Sequence, residues 1–358
     1  MKFRRTICIF SFIALYCLVM GLQAQETRVA EKVYKNVRVL KGLTPDQFND
    51  TMSFMSASLG VKCSHCHAGE KFDTDEKAAK AVARDMIELT YRLNALSFGG
   101  KQAVTCYTCH RGQLHPSSAP PVLFGYVKES SPVALLPTPD EVLNRYTQAL
   151  GGEAALSKIS TRLRKGRFQN SRGGDCPLEL YEKLPGKYLS VMVGYRRPGV
   201  SVYRGIRDNE GWTMDDRGVQ ALSLQDTARE RRDWAFLGTP RLKEIYDRLT
   251  VKAREKLGGR EVFRVEGEIS GFPAEQLFFD ANNGLLLRRV VFLNNPLGPY
   301  PEETDFDDYR EVDGVKLPFL VTRARSDYRA IRKIEEVAHN ISIPDEKLNP
   351  VPVAARSK

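Results

Sequence analysis

Two short stretches carry the residue types that could do chemistry. "VTCYTCHRG", residues 104–112, holds Cys106, Cys109 and His110 in the spacing Cys-x-x-Cys-His, and "VKCSHCHAG", residues 61–69, repeats it with Cys63, Cys66 and His67. The pattern occurs at these two places and nowhere else in the 358 residues. Three chemistries use such a pattern. Two thiolate pairs can close a tetrahedral zinc site. A thioredoxin-like pair sits at the start of a helix after a strand and has no need of the histidine. Covalent attachment of haem c uses both thiols as thioether links to the porphyrin vinyl groups, while the next histidine offers its imidazole to the iron. Two complete copies, an export signal and no other cysteine pair favour haem, with structural zinc the competing reading.

The opposite face of each iron needs a second ligand. "LTPDQFNDTMSFMSASLG" reads as a helix with Thr44 as N-cap, Pro45 at N1 and Gln47 closing a capping box. Phe48, Met52, Met55 and Leu59 then fall on one face. A second helix is expected from Asp75 to Asn94, with Val82, Met86, Leu89 and Leu93 as its stripe. The two stripes match at a constant offset of 34 residues, so Met52 and Met86 share a slot while Met55 becomes Leu89. A methionine filling core is the ordinary reading of one such position. Repetition in register before a haem motif points instead to axial ligands, with Met55 as second choice for the first haem.

Of the five histidines, His67 and His110 belong to the motifs. His65 reads as a solvated side chain between the cysteines, His115 as part of an exposed turn beside Pro116, and His339 as a strand residue.

Val33 to about Pro116 resembles the tetrahaem cytochrome subunit of photosynthetic reaction centres in half-size form. The resemblance is carried by "VRVLKGLTPDQFNDTM", "CSHCH", "VARDMIELTYRLN" and "VTCYTCHRG". It implies a helix before each motif bearing the axial methionine, hence Met52 and Met86 as sixth ligands and His67 and His110 as fifth. The chain departs from that family in having two haem motifs, and no reaction-centre partner is legible.

The N-terminus fits an exported protein. Met1 to Arg5 is basic, Ile7 to Met20 is an apolar run of roughly 14 residues, and small residues follow up to a cleavage site after Ala24. That run is short for a spanning helix, which needs about 20 residues. Cys17 lies within it without a lipobox, and Cys176 stands alone later in the chain. Net charge is +10. Without a basic stripe or known motif, a nucleic-acid partner is not expected.

After a Pro/Ser-rich linker, residues 118–137, a capped helix starts at Thr138, Pro139 and Glu141 and stops at Gly151-Gly152. From about Thr161 the pattern alternates, with hairpin signals at Pro185-Gly186, Asn209-Gly211, Asn283-Gly284 and Asp313-Gly314. A helical interval is expected over Leu222 to Leu249, its run "ARERRDW" reading as a solvated face. The later stretch resembles the lipoprotein-carrier (LolA-like) half-barrel, which implies a concave sheet able to hold apolar material. No catalytic constellation is visible.

These readings give a signal peptide (1–24), a mainly α dihaem c-type cytochrome domain (25–117), the linker, and an α+β domain (138–358) with a curved, mostly antiparallel sheet. The expected function is periplasmic electron transfer through two His/Met-ligated haems c, between periplasmic donor and acceptor proteins. Two alternatives stand beside it. One is a peroxidase-like enzyme with an open iron site, against which methionine in both slots argues. The other is a carrier or sensor for an apolar ligand held by the sheet domain. Docking to a membrane is a further role considered for that domain.

Overall fold

The computed structural model describes residues 29–116, 136–207, 209–238, 242–293, 295–326 and 328–349. The expected signal peptide and all but the last residues of the expected linker lie outside them. The chain divides after Asn49 into two compact units.

In the first unit a single helical turn, Ala30–Val33, is tied to its following loop. The amide of Ala30 donates to the Leu43 carbonyl at 2.7 Å, and the Glu31 carboxylate accepts from the Gly42 amide at 3.0 Å. Tyr34 stacks on Phe48 with ring centroids 5.4 Å apart. The Thr44–Gln47 capping box forms as expected, with reciprocal bonds of 3.0 and 3.2 Å.

Helix α1, Pro45–Leu59, starts at this cap. Helix α2, Ala78–Ser97, begins three residues later than the sequence suggests; Asp75, ahead of it, pairs with Arg84 at 2.9 Å and with Lys80 at 3.6 Å. The short helix α3, Cys106–His110, holds the second motif. Helix α4, Pro139–Ala149, opens with the expected Thr138–Glu141 box.

Thirteen strands then make one sheet, every recorded pair antiparallel. They are β1 (Thr161–Asn170), β2 (Asp175–Lys183), β3 (Lys187–Arg197), β4 (Val200–Arg207), β5 (Glu210–Asp215) and β6 (Gly218–Ala221), then β7 (Arg248–Leu257), β8 (Arg260–Ile269), β9 (Phe272–Asp280), β10 (Leu286–Leu293), β11 (Tyr300–Val312), β12 (Val315–Arg325) and β13 (Tyr328–His339). Two meanders are joined where β1 pairs with β13, leaving β6 and β7 at opposite edges. The segment between those edge strands must therefore cross the sheet, and it does so with helix α5, Leu224–Gly238. Bulges such as Lys165/Gly166 and Val251/Ala253 bend the strands.

The Asp313-Gly314 hairpin is tight, both residues having positive φ (52° and 77°). Asn283-Gly284 belongs to a longer connection between Asp280 and Leu286, in which the Asp280 carboxylate accepts from the amides of Asn282 and Asn283.

One sheet face is covered by α4 and α5. Val142, Leu143 and Tyr146 pack with Leu277, Phe279 and Leu286, and Trp234 packs with Leu178, Leu180 and Ile206. The opposite face gathers Tyr181, Leu189 and Trp212 against Ile343 and Leu348 of the C-terminal segment.

The helical interval is shorter than Leu222 to Leu249, since β7 already begins at Arg248. Its charged run also overturns the solvated-face expectation. Asp233 receives Arg289 from β10 and Arg323 from β12, each at 2.7 Å, and Glu230 receives Arg204 from β4 at 2.6 Å. Only Arg231 of the four-charge stretch Arg229 to Arg232 is exposed. The charges face inward because the sheet beneath supplies oppositely charged partners, which a one-dimensional pattern cannot reveal.

Candidate haem-binding site

The two faces of α1 have different duties. At about 100° per residue, Asp50, Thr51, Phe54 and Ser58 lie on one side, and Phe48, Met52, Met55 and Leu59 on the other. Thr51, Phe54 and Ser58 are buried, whereas all four members of the expected apolar stripe are only half-buried. The same inversion holds on α2. Its buried residues are Ile87 and Asn94, while Val82, Met86, Leu89 and Leu93 stand 55%, 41%, 47% and 40% exposed. Stripes of this length are covered by something in a folded protein. Here protein side chains leave the α2 stripe open and cover the α1 stripe only in part, Tyr34 lying on Phe48.

The first motif follows α1 through Gly60 and forms a tight turn, Cys63–His65, with Cys66 directly after it. Lys77 donates to the Ser64 carbonyl, and Lys80 donates to the carbonyls of Phe72 and Thr74, each at 2.8 Å. These lysines lash the start of α2 to the first motif. Burial pushes the Cys66 thiol up, against the pull of Lys77. Burial and then Lys80 draw His67 below the usual histidine range. The His67 ring lies 5.2 Å from that of Phe72, and its buried Nδ1 has no hydrogen-bond partner.

The second motif is built more tightly. Thr105 caps α3, accepting from the Thr108 amide at 3.3 Å, while the Thr108 hydroxyl accepts from the Thr105 amide at 3.0 Å. His110 Nδ1 lies 3.1 Å from the Gln113 carbonyl oxygen. Because that oxygen can only accept, the proton sits on Nδ1 and the Nε2 lone pair is left for a metal. Arg111 and Gly112 then turn the chain through positive φ.

Asn94 brings this motif back to α2. Its Oδ1 accepts from the amides of Ala103 and Val104 at 3.0 and 2.9 Å, and its Nδ2 donates to the Val104 carbonyl at 2.7 Å. The loop after α2 is thus closed by one amide side chain. Nothing in the sequence marks Asn94 for this task except that it is a polar residue near the end of a helix. Burial raises the Cys106 thiol, and Tyr91 of α2 is close enough to feel its charge.

The two motifs also meet. The Gly112 amide donates to the Ser58 carbonyl at 2.9 Å, and Gly60, at φ 65°, lies against the Gly112 carbonyl so closely that a Cβ would overlap it. The end of the first helix is therefore fastened to the end of the second motif.

The donor set suits haem c. Cys63, Cys66, Cys106 and Cys109 are free thiols, each pair followed by a histidine. Among the described residues no group of three or more His, Cys, Asp or Glu side chains converges as a metal ion would require, so the two pairs do not build the zinc site weighed above. An orphaned His67 nitrogen and open apolar stripes on both methionine-bearing helices are what a large apolar ring with a central metal would satisfy.

Other expected positions fall as follows. His65 is half-buried in the first turn and His115 is exposed. His339 ends β13 and bonds Asp313 at 3.0 Å. Cys176 is a buried free thiol on β2. In the sheet domain a cavity of about 760 Å³ is lined by Leu156, Ile159, Leu184, Tyr188, Arg232 and Ile245 among others. No helix among the described residues is long and apolar enough to cross a membrane.

Comparison with known proteins bears on the same region. Residues 16–130 match the family model of the photosynthetic reaction centre cytochrome C subunit. A photosynthetic reaction center cytochrome c subunit of Roseobacter denitrificans is 36% identical over 99 residues, 25% of this chain and 27% of its own length. One from Thermochromatium tepidum is 37% identical over 94 residues, 25% of this chain and 23% of its own. Cytochrome c-554 of Chloroflexus aurantiacus is 37% identical over 81 residues, 21% and 20% respectively. This chain thus spans about a quarter of the length of these curated relatives. Among solved structures, a LolA superfamily protein of Nitrosomonas europaea aligns at TM-score 0.43 and 10% identity, covering 60% of this chain and 98% of that one. A DUF1329 family protein of Desulfovibrio piger aligns at 0.42 and 12%, covering 59% and 96%. Through residues 16–130 the chain is similar to the photosynthetic reaction centre cytochrome c subunits.

Proposed function

We propose that this chain is an exported, periplasmic dihaem cytochrome that passes electrons between donor and acceptor proteins. The observation that carries the reading is the pairing of each Cys-x-x-Cys-His motif with a methionine-bearing helix stripe that protein side chains leave half-covered on α1 and open on α2. Cys63 and Cys66 hold the first haem, Cys106 and Cys109 the second. In this reading His67 and His110 would each give an imidazole, and Met52 and Met86 a thioether, to the two irons. Met55 is the second choice for the first. Haem bound there supplies a one-electron iron couple, raised in potential by a thioether ligand relative to bis-histidine ligation. Around it, the Gln113 carbonyl fixes the His110 tautomer, and Asn94 fixes the loop that delivers α3. The basic and apolar character of residues 1–24 supports export by a cleaved signal peptide. The domain limits 25–117, 118–137 and 138–358 belong to the same proposal.

A pyridine haemochrome assay on the full chain, with visible spectra of both oxidation states, tests it. Two haems per chain and a methionine-to-iron charge-transfer band are expected, about half of the band disappearing in Met52→Ala and half in Met86→Ala. A high-spin iron would favour the peroxidase-like enzyme. Absence of covalent haem would overturn the reading of both motifs.

A further inference from the structure

The side of α1 turned away from Met52 is held by the sheet domain. Asp50 pairs with Arg325 of β12, and Arg229 of α5 approaches it at 4.0 Å. Both arginines also grip Glu302 of β11, at 2.6 and 2.7 Å, so the Asp50 clamp is part of a fixed buried cluster. One turn on, the buried Phe54 meets Tyr300 edge-to-face with centroids 5.9 Å apart. The β10–β11 connection backs this contact. At Gly298, where φ is 143°, a Cβ would come within 2.6 Å of Thr105 Cγ2 and 3.0 Å of Phe54 Cζ. Three successive holds, at Asp50, Phe54 and Ser58, thus fall along one face of α1, with Met52 on the reverse.

Among the described residues the side-chain bonds of α2 stay within it or run to its own flanking loops: Arg84 to Asp75, Lys80 to Phe72 and Thr74, Asn94 to Ala103 and Val104. The loop after it reaches the β10–β11 connection through Gln102, whose amide donates to the Asn295 carbonyl at 3.0 Å. The methionine of α2 stands on an open face. The repeat that makes Met52 and Met86 equivalent in sequence is broken by what holds each helix.

We infer that Asp50 is a positioning residue for the first haem: through its pair with Arg325, the sheet domain fixes the rotation of α1 and with it the presentation of Met52. This rests on Met52 being an axial ligand. A helix with side chains is about 10–12 Å across, so a rotation of about 20° displaces a side-chain tip by roughly 2 Å. A shift of that size is enough to break a metal–sulfur bond. Through this clamp the sheet acts on the ligation and potential of the first haem.

The test uses the full chain carrying both haems, in Asp50→Asn, Arg325→Met and the charge-preserving Arg325→Lys. Spectroelectrochemical titration follows the two transitions, and the charge-transfer band reports methionine ligation. In the first two variants the haem count should stay at two and the transition lost in Met52→Ala should move. At the wild-type midpoint its reduced-to-oxidised ratio should fall at least about tenfold, or about 59 mV for one electron. The transition assigned to Met86 should not move, and Arg325→Lys should restore the first. If Met52→Ala removes its share of the band while both clamp variants leave both transitions in place, the positioning role is wrong and the ligand assignment stands. If Met52→Ala changes nothing, the ligand assignment itself fails. Equal loss at both haems would also overturn the inference, since it would mark a general loss of structure. Should Asp50→Asn fail to fold, Arg325→Met reads the same clamp from the opposite side.

Discussion

Replacing Asn94 by alanine removes three hydrogen bonds from the loop that returns the second motif to α2. The side chain is only 7% exposed, so water has little access to replace them. Each bond contributes about 1 kcal/mol net, and leaving buried amides unpaired adds to the loss, for a total of about 3 kcal/mol. The glycines of that loop, Gly99 and Gly100, both at positive φ, offer no stiffness of their own. Asn94→Ala should therefore detach α3 from α2 while leaving the first motif in place. Urea unfolding followed at the haem absorbance should show a loss of about 3 kcal/mol, and mass spectrometry of the exported protein should show chains with one haem, bound at Cys63 and Cys66. Full attachment at both motifs, with a loss under about 1 kcal/mol, would refute Asn94 as the clasp of the second site.

Gly60→Ala should cost about 2 kcal/mol or more and separate the motifs, because a Cβ at φ 65° is strained and meets the Gly112 carbonyl backbone; a melting temperature within a degree of wild type would contradict this. Glu182→Gln removes the carboxylate charge that the buried Arg162 and Arg164 both contact, and should destabilise the sheet by about 3–5 kcal/mol in chemical denaturation. Glu302 titrates at about 2 in the folded chain against an ordinary value of 4.5: burial opposes the shift, and Arg323, Arg229 and Arg325 impose it, against the charge of Asp233. A depressed acid stabilises above its unfolded pKa and loses that contribution as pH falls, so about 3 kcal/mol should vanish between roughly pH 5 and 2. Glu302→Gln should flatten that limb of the stability–pH curve, and an unchanged slope would show the cluster is not intact in solution.

Much of the chemistry was legible because it is local. Two thiols two residues apart with an adjoining histidine need no distant partner to be recognised, and the capping boxes at Thr44 and Thr138 are satisfied within four residues. Hairpins at Pro185-Gly186 and Asp313-Gly314 formed for the same reason. The charged run of α5 misled because whether Glu230 or Asp233 meets water or an arginine depends on strands that lie 26 residues earlier in the chain for the one and 90 residues later for the other.

The sequence by itself determined the two Cys-x-x-Cys-His motifs, their repetition and the class of the sheet, since spacing and alternation are properties of a chain read in one dimension. The tertiary structure decided which face of each helix is open. It left the apolar stripe of α2 exposed and that of α1 half-buried, and it set Asp50, Phe54 and Ser58 where residues far along the chain could hold them. An apolar stripe reads the same whether protein or a prosthetic group covers it; only the positions of the other side chains tell the two apart.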